Sequence, residues 1–255
     1  MQRYKKIVNY QKIAVICQFF CIFAKHPKRQ IMRLQNYLSL ICILFLFASC
    51  ERNLTCENTL TEAEKQLING ADANTPFQVL LTANKEDSLL LRKQSKDIKP
   101  ITNNPDLQLL IERLRVTLEA EEGVGIASPQ IGIARNVFLM MRFDKPERPV
   151  EVVINPKITA HSDETIYFES DGCLSILDIS GNSRRYKWIE VEYYNEHGEK
   201  INERLEGYSR FCDFTGIIFQ HEYDHLRGRL FIDRLCQKNI TKQTKTKKLV
   251  AQLKT

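Results

Sequence analysis

The chain has 255 residues, 43% of them hydrophobic and 27% charged, a length that gives one catalytic domain and leaves room for an appended segment. Its formal net charge of +6 belongs to the two ends: residues 1–33 hold eight Lys or Arg and no acid, the tail from Lys238 holds six Lys and no acid, and the stretch between them is net acidic. No aromatic interleaving accompanies the basic tail, so specific nucleic-acid binding is not expected, and the eight cysteines form neither a repeated zinc pattern nor a disulfide scaffold.

Residues 1–50 stand apart from the domain. Tyr37 to Ser49 carries no charge, follows a basic stretch and ends in Phe47-Ala48-Ser49-Cys50. That order reads as a lipoprotein-like signal, in which cleavage leaves Cys50 to carry the lipid. The apolar run of 13 residues is short of the roughly 20 that span a bilayer as a helix. Met32-Arg33 stands at the distance expected of a start, which makes residues 1–31 an upstream extension. The expected location is therefore outside the cytoplasm, on a membrane anchored through Cys50. The alternative is a cytoplasmic enzyme tethered at the inner face.

Residues 51–76 read as a polar linker, 77–236 as the catalytic domain and 237–255 as a basic disordered tail. Within the domain, Asn104-Pro105 caps and starts a helix whose apolar face is Leu107, Leu110, Ile111, Leu114 and Leu118. Strands are expected at Asn136–Met141, Glu151–Ile154 and Ile166–Glu169. Trp188–Tyr194 alternates, Asn195–Gly198 reads as a hairpin turn, and Glu199–Leu205 returns. Cys212 lies near an apolar stretch and is expected to pack as a small hydrophobe. A helix from about Phe214 to Leu226, stopped by Gly228, comes last. The fold class is α+β: antiparallel sheets packed around a C-terminal metal-binding helix.

Three stretches carry chemistry. In Gln220-His221-Glu222-Tyr223-Asp224-His225, the H-E-x-x-H spacing puts two imidazoles one helical turn apart with a carboxylate beside the first. A divalent metal accepts both rings, and Glu222 is placed to take a proton from water. The bland alternative is a polar helix face with two histidines, but the flanks Phe214, Ile217, Ile218 and Leu226 are apolar. Cys173, in Gly172-Cys173-Leu174-Ser175, is a candidate third ligand. The glycine-rich stretch 123–132 lacks the Lys-Ser/Thr ending of a phosphate loop; its glycines let a peptide backbone approach, and Gln130 can aim an amide N–H at a developing oxyanion. Taken alone, that stretch is equally an ordinary tight turn.

Together, Gly-Val-Gly-Ile-Ala-Ser-Pro-Gln-Ile-Gly (123–132), Asp-Gly-Cys-Leu-Ser (171–175) and Gln-His-Glu-Tyr-Asp-His-Leu-x-Gly (220–228) resemble the three signature blocks of the peptide deformylase family, in its order and spacing. The resemblance covers residues 77–236. It implies a monomeric hydrolase that removes the formyl group from N-formylated peptides, with Fe²⁺ as the usual metal and Zn²⁺ or Ni²⁺ as substitutes. It implies Cys173, His221 and His225 as ligands, Glu222 as general acid/base, and Gln130 with the Leu174 backbone N–H as oxyanion donors. It also implies Val124, Gly125 and Ile126 as the residues that contact the substrate backbone.

The departures are local. Asp171 stands where the family has Glu, with Arg185 as its expected partner; Ser128 replaces an alanine. Leu177 replaces a proline, which leaves the segment Asp178 to Ser183 without a firm expectation. Asp224 or a backbone carbonyl is available to fix a histidine tautomer. Two other readings stand beside this one: an exported metallopeptidase or amidase of other specificity, and a non-catalytic binding lipoprotein. No histidine follows His225 to complete a zincin site, and no ligand or acid/base position is lost.

Overall fold

The computed structural model describes residues 58–242. The signal-like segment with Cys50, the first part of the segment read as a linker, and the tail beyond 242 lie outside the described residues. The architecture is the α+β one expected. Two short helices, α1 (Glu62–Ile68) and α2 (Lys85–Leu91), precede the long α3 (Pro105–Ala120). Then come β1 (Gly125–Ala127), β2 (Val137–Met141), β3 (Val150–His161), β4 (Thr165–Cys173), β5 (Ile176–Tyr186), β6 (Trp188–Tyr194) and β7 (Lys200–Glu206). Helix α4 (Thr215–Leu226) and strand β8 (Leu235–Lys242) close the order.

One sheet has the order β1-β2-β3-β6-β7 and the other β4-β5-β8, and every pairing between these strands is antiparallel. Strand β2 shows why the first sheet is central. Val137 and Leu139 point into the core beneath α3, while Phe138 and Met140 point into the core around α4. Successive side chains of a strand face opposite ways, so a strand covered on both faces reads as an unbroken apolar run. Burial of Leu107, Leu110, Ile111, Leu114 and Leu118 follows from the 3.6-residue period of α3. Its start is fixed by Asn104, whose side chain accepts from Leu107 N at 3.1 Å.

Several boundaries differ from the sequence expectation. The stretch read as a polar linker contains α1, which starts with a capping box between Thr61 and Glu64 and buries Ile68; Leu60 joins the same core. Strand β3 runs on to His161 because β6 pairs with it there. The segment around Asp178 to Ser183 is strand β5, held between β4 and β8. Strand β8 passes the boundary set at 236 and pairs with β5 as far as Lys242. Cys212 is exposed, not packed: it lies in the loop between β7 and α4, turned outward as its N–H bonds Ser209 O at 3.1 Å.

Helix α4 is almost wholly enclosed, with Thr215 to Gln220, Glu222 and Asp224 to Leu226 buried. It ends in a Schellman turn: Gly228 N reaches His225 O at 3.1 Å and Arg229 N reaches Asp224 O at 2.9 Å, with Gly228 at φ +65. Among the described residues, no helix is long and apolar enough to cross a membrane.

Candidate metal centre

Three polar side chains meet where α4 passes the β4–β5 turn. His221 and His225 stand one turn apart, ring centroids 5.1 Å from each other. Cys173 ends β4, directly opposite Ile176 on β5, so the intervening Leu174 and Ser175 form a tight hairpin turn. Its Sγ lies 3.3 Å from His225 Nε2. One ligand atom from each of Cys173, His221 and His225 falls within 4.8 Å of the others. Atoms bound about 2.0–2.3 Å from one ion are spaced in this way. A thiolate with two imidazoles is a donor set for a borderline-soft divalent metal, so the residues present fit the group.

Each ring is held differently. His221 Nδ1 lies 3.2 Å from Asp171 Oδ1, which turns Nε2 toward the other two ligand atoms. Asp171 also accepts from Ser183 Oγ at 2.6 Å and Arg185 Nη2 at 3.0 Å. Arg185, expected as the partner of Asp171, is buried and extends its other nitrogen to Asp224 Oδ2 at 2.6 Å. Asp224 then accepts from Arg234. It pairs with arginines and bonds neither histidine, because it lies around the helix from His221; the tautomer role expected of it falls to Asp171. His225 Nδ1 is buried without a hydrogen-bond partner among the described residues.

The electrostatics follow from burial and these neighbours. Burial disfavours the charged His221 ring, but the Asp171 carboxylate outweighs it and raises the pKa well above the ordinary histidine value. Burial, aided by the His221 charge, drives His225 well below it. Burial also opposes charge on Asp171, yet His221 and Arg185 hold that carboxyl well below the usual range. Burial pushes Glu222 up to about 7; Asp171 adds to the rise, and His221 and Arg185 oppose it.

Glu222 sits against Gly125. A Cβ on Gly125 would stand 2.4 Å from Glu222 Oε1, so the absent side chain is what admits the carboxylate. Its other oxygen, Oε2, is buried and has no hydrogen-bond partner among the described residues. Gln130, 1% exposed, lies in a short 3-10 turn after β1. Its Oε1 accepts from Ala127 N at 2.8 Å, and Nε2 faces Ser175 Oγ at 3.2 Å and Cys173 Sγ at 3.6 Å. Gly125 and Ile126 lie on β1, which among the described residues is an edge strand paired with β2, and Val124 immediately precedes it. Ile126 is fully buried, its side chain in the core beneath α3.

Three contributors were not singled out from sequence. Ser175 and Ser183 hold Gln130 and Asp171; Ser175 lies inside a quoted block, so its position was a usable signal. Phe231 stacks on His221 with centroids 6.2 Å apart, and nothing in its surroundings in the sequence marks it.

The family model described as polypeptide deformylase matches residues 78–241. The peptide deformylase of Thermotoga maritima is 42% identical over 146 residues, covering 57% of this chain and 81% of the relative. That of Synechocystis sp. is 35% identical over 147 residues, covering 57% and 74%. Among solved structures, the peptide deformylase from Thermotoga maritima aligns with a TM-score of 0.54 at 35% identity, covering 63% of this chain and 98% of that one. The enzyme from Synechococcus elongatus in complex with actinonin aligns at 0.54 with 28% identity, covering 64% and 80%.

Proposed function

This chain belongs to the polypeptide deformylase family, and on that premise we propose that it hydrolyses the N-formyl group of formyl-methionyl peptides and releases formate. It is a metal-dependent hydrolase of formylated peptides. The observation that carries the reading is the convergence of Cys173, His221 and His225 beside the buried Glu222 carboxylate. We assign Fe²⁺ as the metal, with Zn²⁺ or Ni²⁺ able to replace it, since one thiolate and two imidazoles suit all three.

When bound, the metal supplies Lewis acidity, which polarises a carbonyl and makes a water acidic at neutral pH. The peptide backbone lies along the free edge of β1, where Val124, Gly125 and Ile126 present main-chain groups. Glu222 takes the proton of the attacking water. Gln130 Nε2 and the Leu174 backbone N–H donate to the formyl oxygen as it gains charge. Such donors contribute about 2.7–4 kcal/mol each. Glu222 then returns the proton to the leaving amine, so its raised pKa suits both halves of the cycle.

Formate release from a formylated methionyl peptide tests this. The metal-loaded chain is expected to turn over, and Glu222→Gln to keep its metal and lose the activity. A metal-loaded wild type that releases no formate would overturn the reading.

We also place the enzyme outside the cytoplasm as a monomer held to the membrane through Cys50. The support is the uncharged run from Tyr37 to Ser49 followed by Cys50. Labelled palmitate is expected on the wild type and not on Cys50→Ala, and globomycin is expected to block processing. An unlabelled wild type would return the enzyme to the cytoplasm.

A further inference from the structure

A cavity of about 420 Å³ opens on the face of α4 that carries Gln220, Tyr223 and Asp224. None of Cys173, His221, His225 or Glu222 lines it. Four arginines do: Arg184 and Arg185 from β5, Arg229 from the turn after α4, and Arg234 just before β8. Their commitments differ. Arg185 is divided between Asp171 and Asp224. Arg234 gives Nε and Nη2 to Asp224, at 3.1 and 2.8 Å, and its Nη1 has no hydrogen-bond partner among the described residues. The side chains of Arg184 and Arg229 are exposed and have no hydrogen-bond or ion-pair partner among the described residues.

The balance of charge decides what this cavity takes. Asp171 and Asp224 offset two of the four guanidiniums, and two positive charges remain. Like charges gathered around one cavity repel, and no further carboxylate lines it. The remaining lining mixes polar Thr165 and Gln220 with Ile158 and aromatic rings, and the Tyr186 ring stacks on His161 with centroids 3.8 Å apart. Guanidinium forks match the oxygens of phosphate, and a dianion cancels an excess of two.

We propose that this cavity binds a phosphate dianion, free or as a terminal monoester, between Arg184, Arg229 and the spare Nη1 of Arg234. The site is separate from the metal centre, and Arg184 and Arg229 take no part in the hydrolysis derived above.

The test uses the full metal-loaded chain and inorganic phosphate in titration calorimetry, with chloride matched for ionic strength. Saturable binding is expected for the wild type. Arg184→Ala/Arg229→Ala is expected to bind at least about tenfold more weakly, since two charge-assisted contacts are lost. Formate release and melting temperature of that variant are expected to match the wild type, which separates a lost site from a lost fold. Arg184→Lys/Arg229→Lys, which keeps the charge without the fork, is expected to fall between. A second arm distinguishes the source: vesicles of phosphatidic acid against vesicles of phosphatidylcholine. Retention by phosphatidic acid that is lost in the double alanine variant assigns a lipid headgroup; phosphate binding without it assigns a free anion. Absence of both, or equal binding by wild type and double variant, overturns the proposal.

Discussion

Asp171 holds His221 from behind: its Oδ1 lies 3.2 Å from Nδ1, while Arg185 holds its Oδ2 at 3.0 Å. The ring thus has one tautomer and one orientation, and its basicity toward a metal is raised. Carboxylates in this position typically carry about 10–100-fold of metal affinity. Asp171→Asn preserves the volume but removes the charge that both neighbours answer to. Its metal affinity, by competition with a chelator, is expected to fall within that range. An unchanged affinity would show that the Asp171 contact does not orient the ligand.

The same pair sets a pH dependence. His221 has its pKa raised well above the ordinary 6.5, so below the raised value a proton occupies the ring. A metal needs Nε2 free; binding therefore expels that proton, and affinity is expected to fall as pH drops. Calorimetry in two buffers of different ionisation heat is expected to register proton release, less of it in Asp171→Asn. In the metal-free protein the sign reverses. The stability His221 contributes is fully present below 6.5 and is lost as pH rises through the raised pKa. Asp171, held low, contributes above its ordinary 3.8 and loses that contribution as pH falls through the depressed value. Metal-free melting temperatures across pH check both limbs. Proton uptake on metal binding would contradict the assignment.

Gly125→Ala is expected to damage catalysis without touching a ligand. The new Cβ would lie 2.4 Å from Glu222 Oε1 and 2.9 Å from its Cδ, so the carboxylate must move. Glu222 is enclosed in α4 and cannot swing freely; overpacking of this kind costs about 1–3 kcal/mol. The expected result is a lower kcat, a modestly lower melting temperature and unchanged metal content. Full activity would mean that Glu222 accommodates the methyl without losing its role.

The site was more legible in the sequence than the strands that hold it. His221 and Glu222 stand out through the H-E-x-x-H spacing, and Cys173 through the likeness of its block, beside the other two, to the family's signature. β5 did not, since its enclosed positions include Gly181, Ser183 and Arg185, where an apolar alternation would be expected. What buries Arg185 is the pair of carboxylates Asp171 and Asp224, a long-range condition that no local pattern encodes. β8 was hidden for a related reason: Lys238 to Lys242 reads as a solvated tail until β5 offers it an edge. α1 could have been found, because Thr61 followed by Glu64 is a capping box in plain sequence.

Gln130 separates two roles that its geometry allows. Nε2 points at Cys173 Sγ from 3.6 Å and at Ser175 Oγ from 3.2 Å, so it could serve the thiolate or the reacting oxygen. The grip of Ala127 N on Oε1 at 2.8 Å fixes which end of the amide faces the site. A donor held rigidly in a buried site contributes most where charge develops, and removing one costs about 10²–10³ in kcat. Gln130→Ala is therefore expected to lose kcat by that order with KM and metal affinity little changed. Ser175→Ala removes a competing acceptor for Nε2 and is expected to have a far smaller effect. If Gln130→Ala instead weakens metal binding while the metal-saturated kcat stays near normal, the amide belongs to the thiolate, and the Leu174 N–H is left as the oxyanion donor.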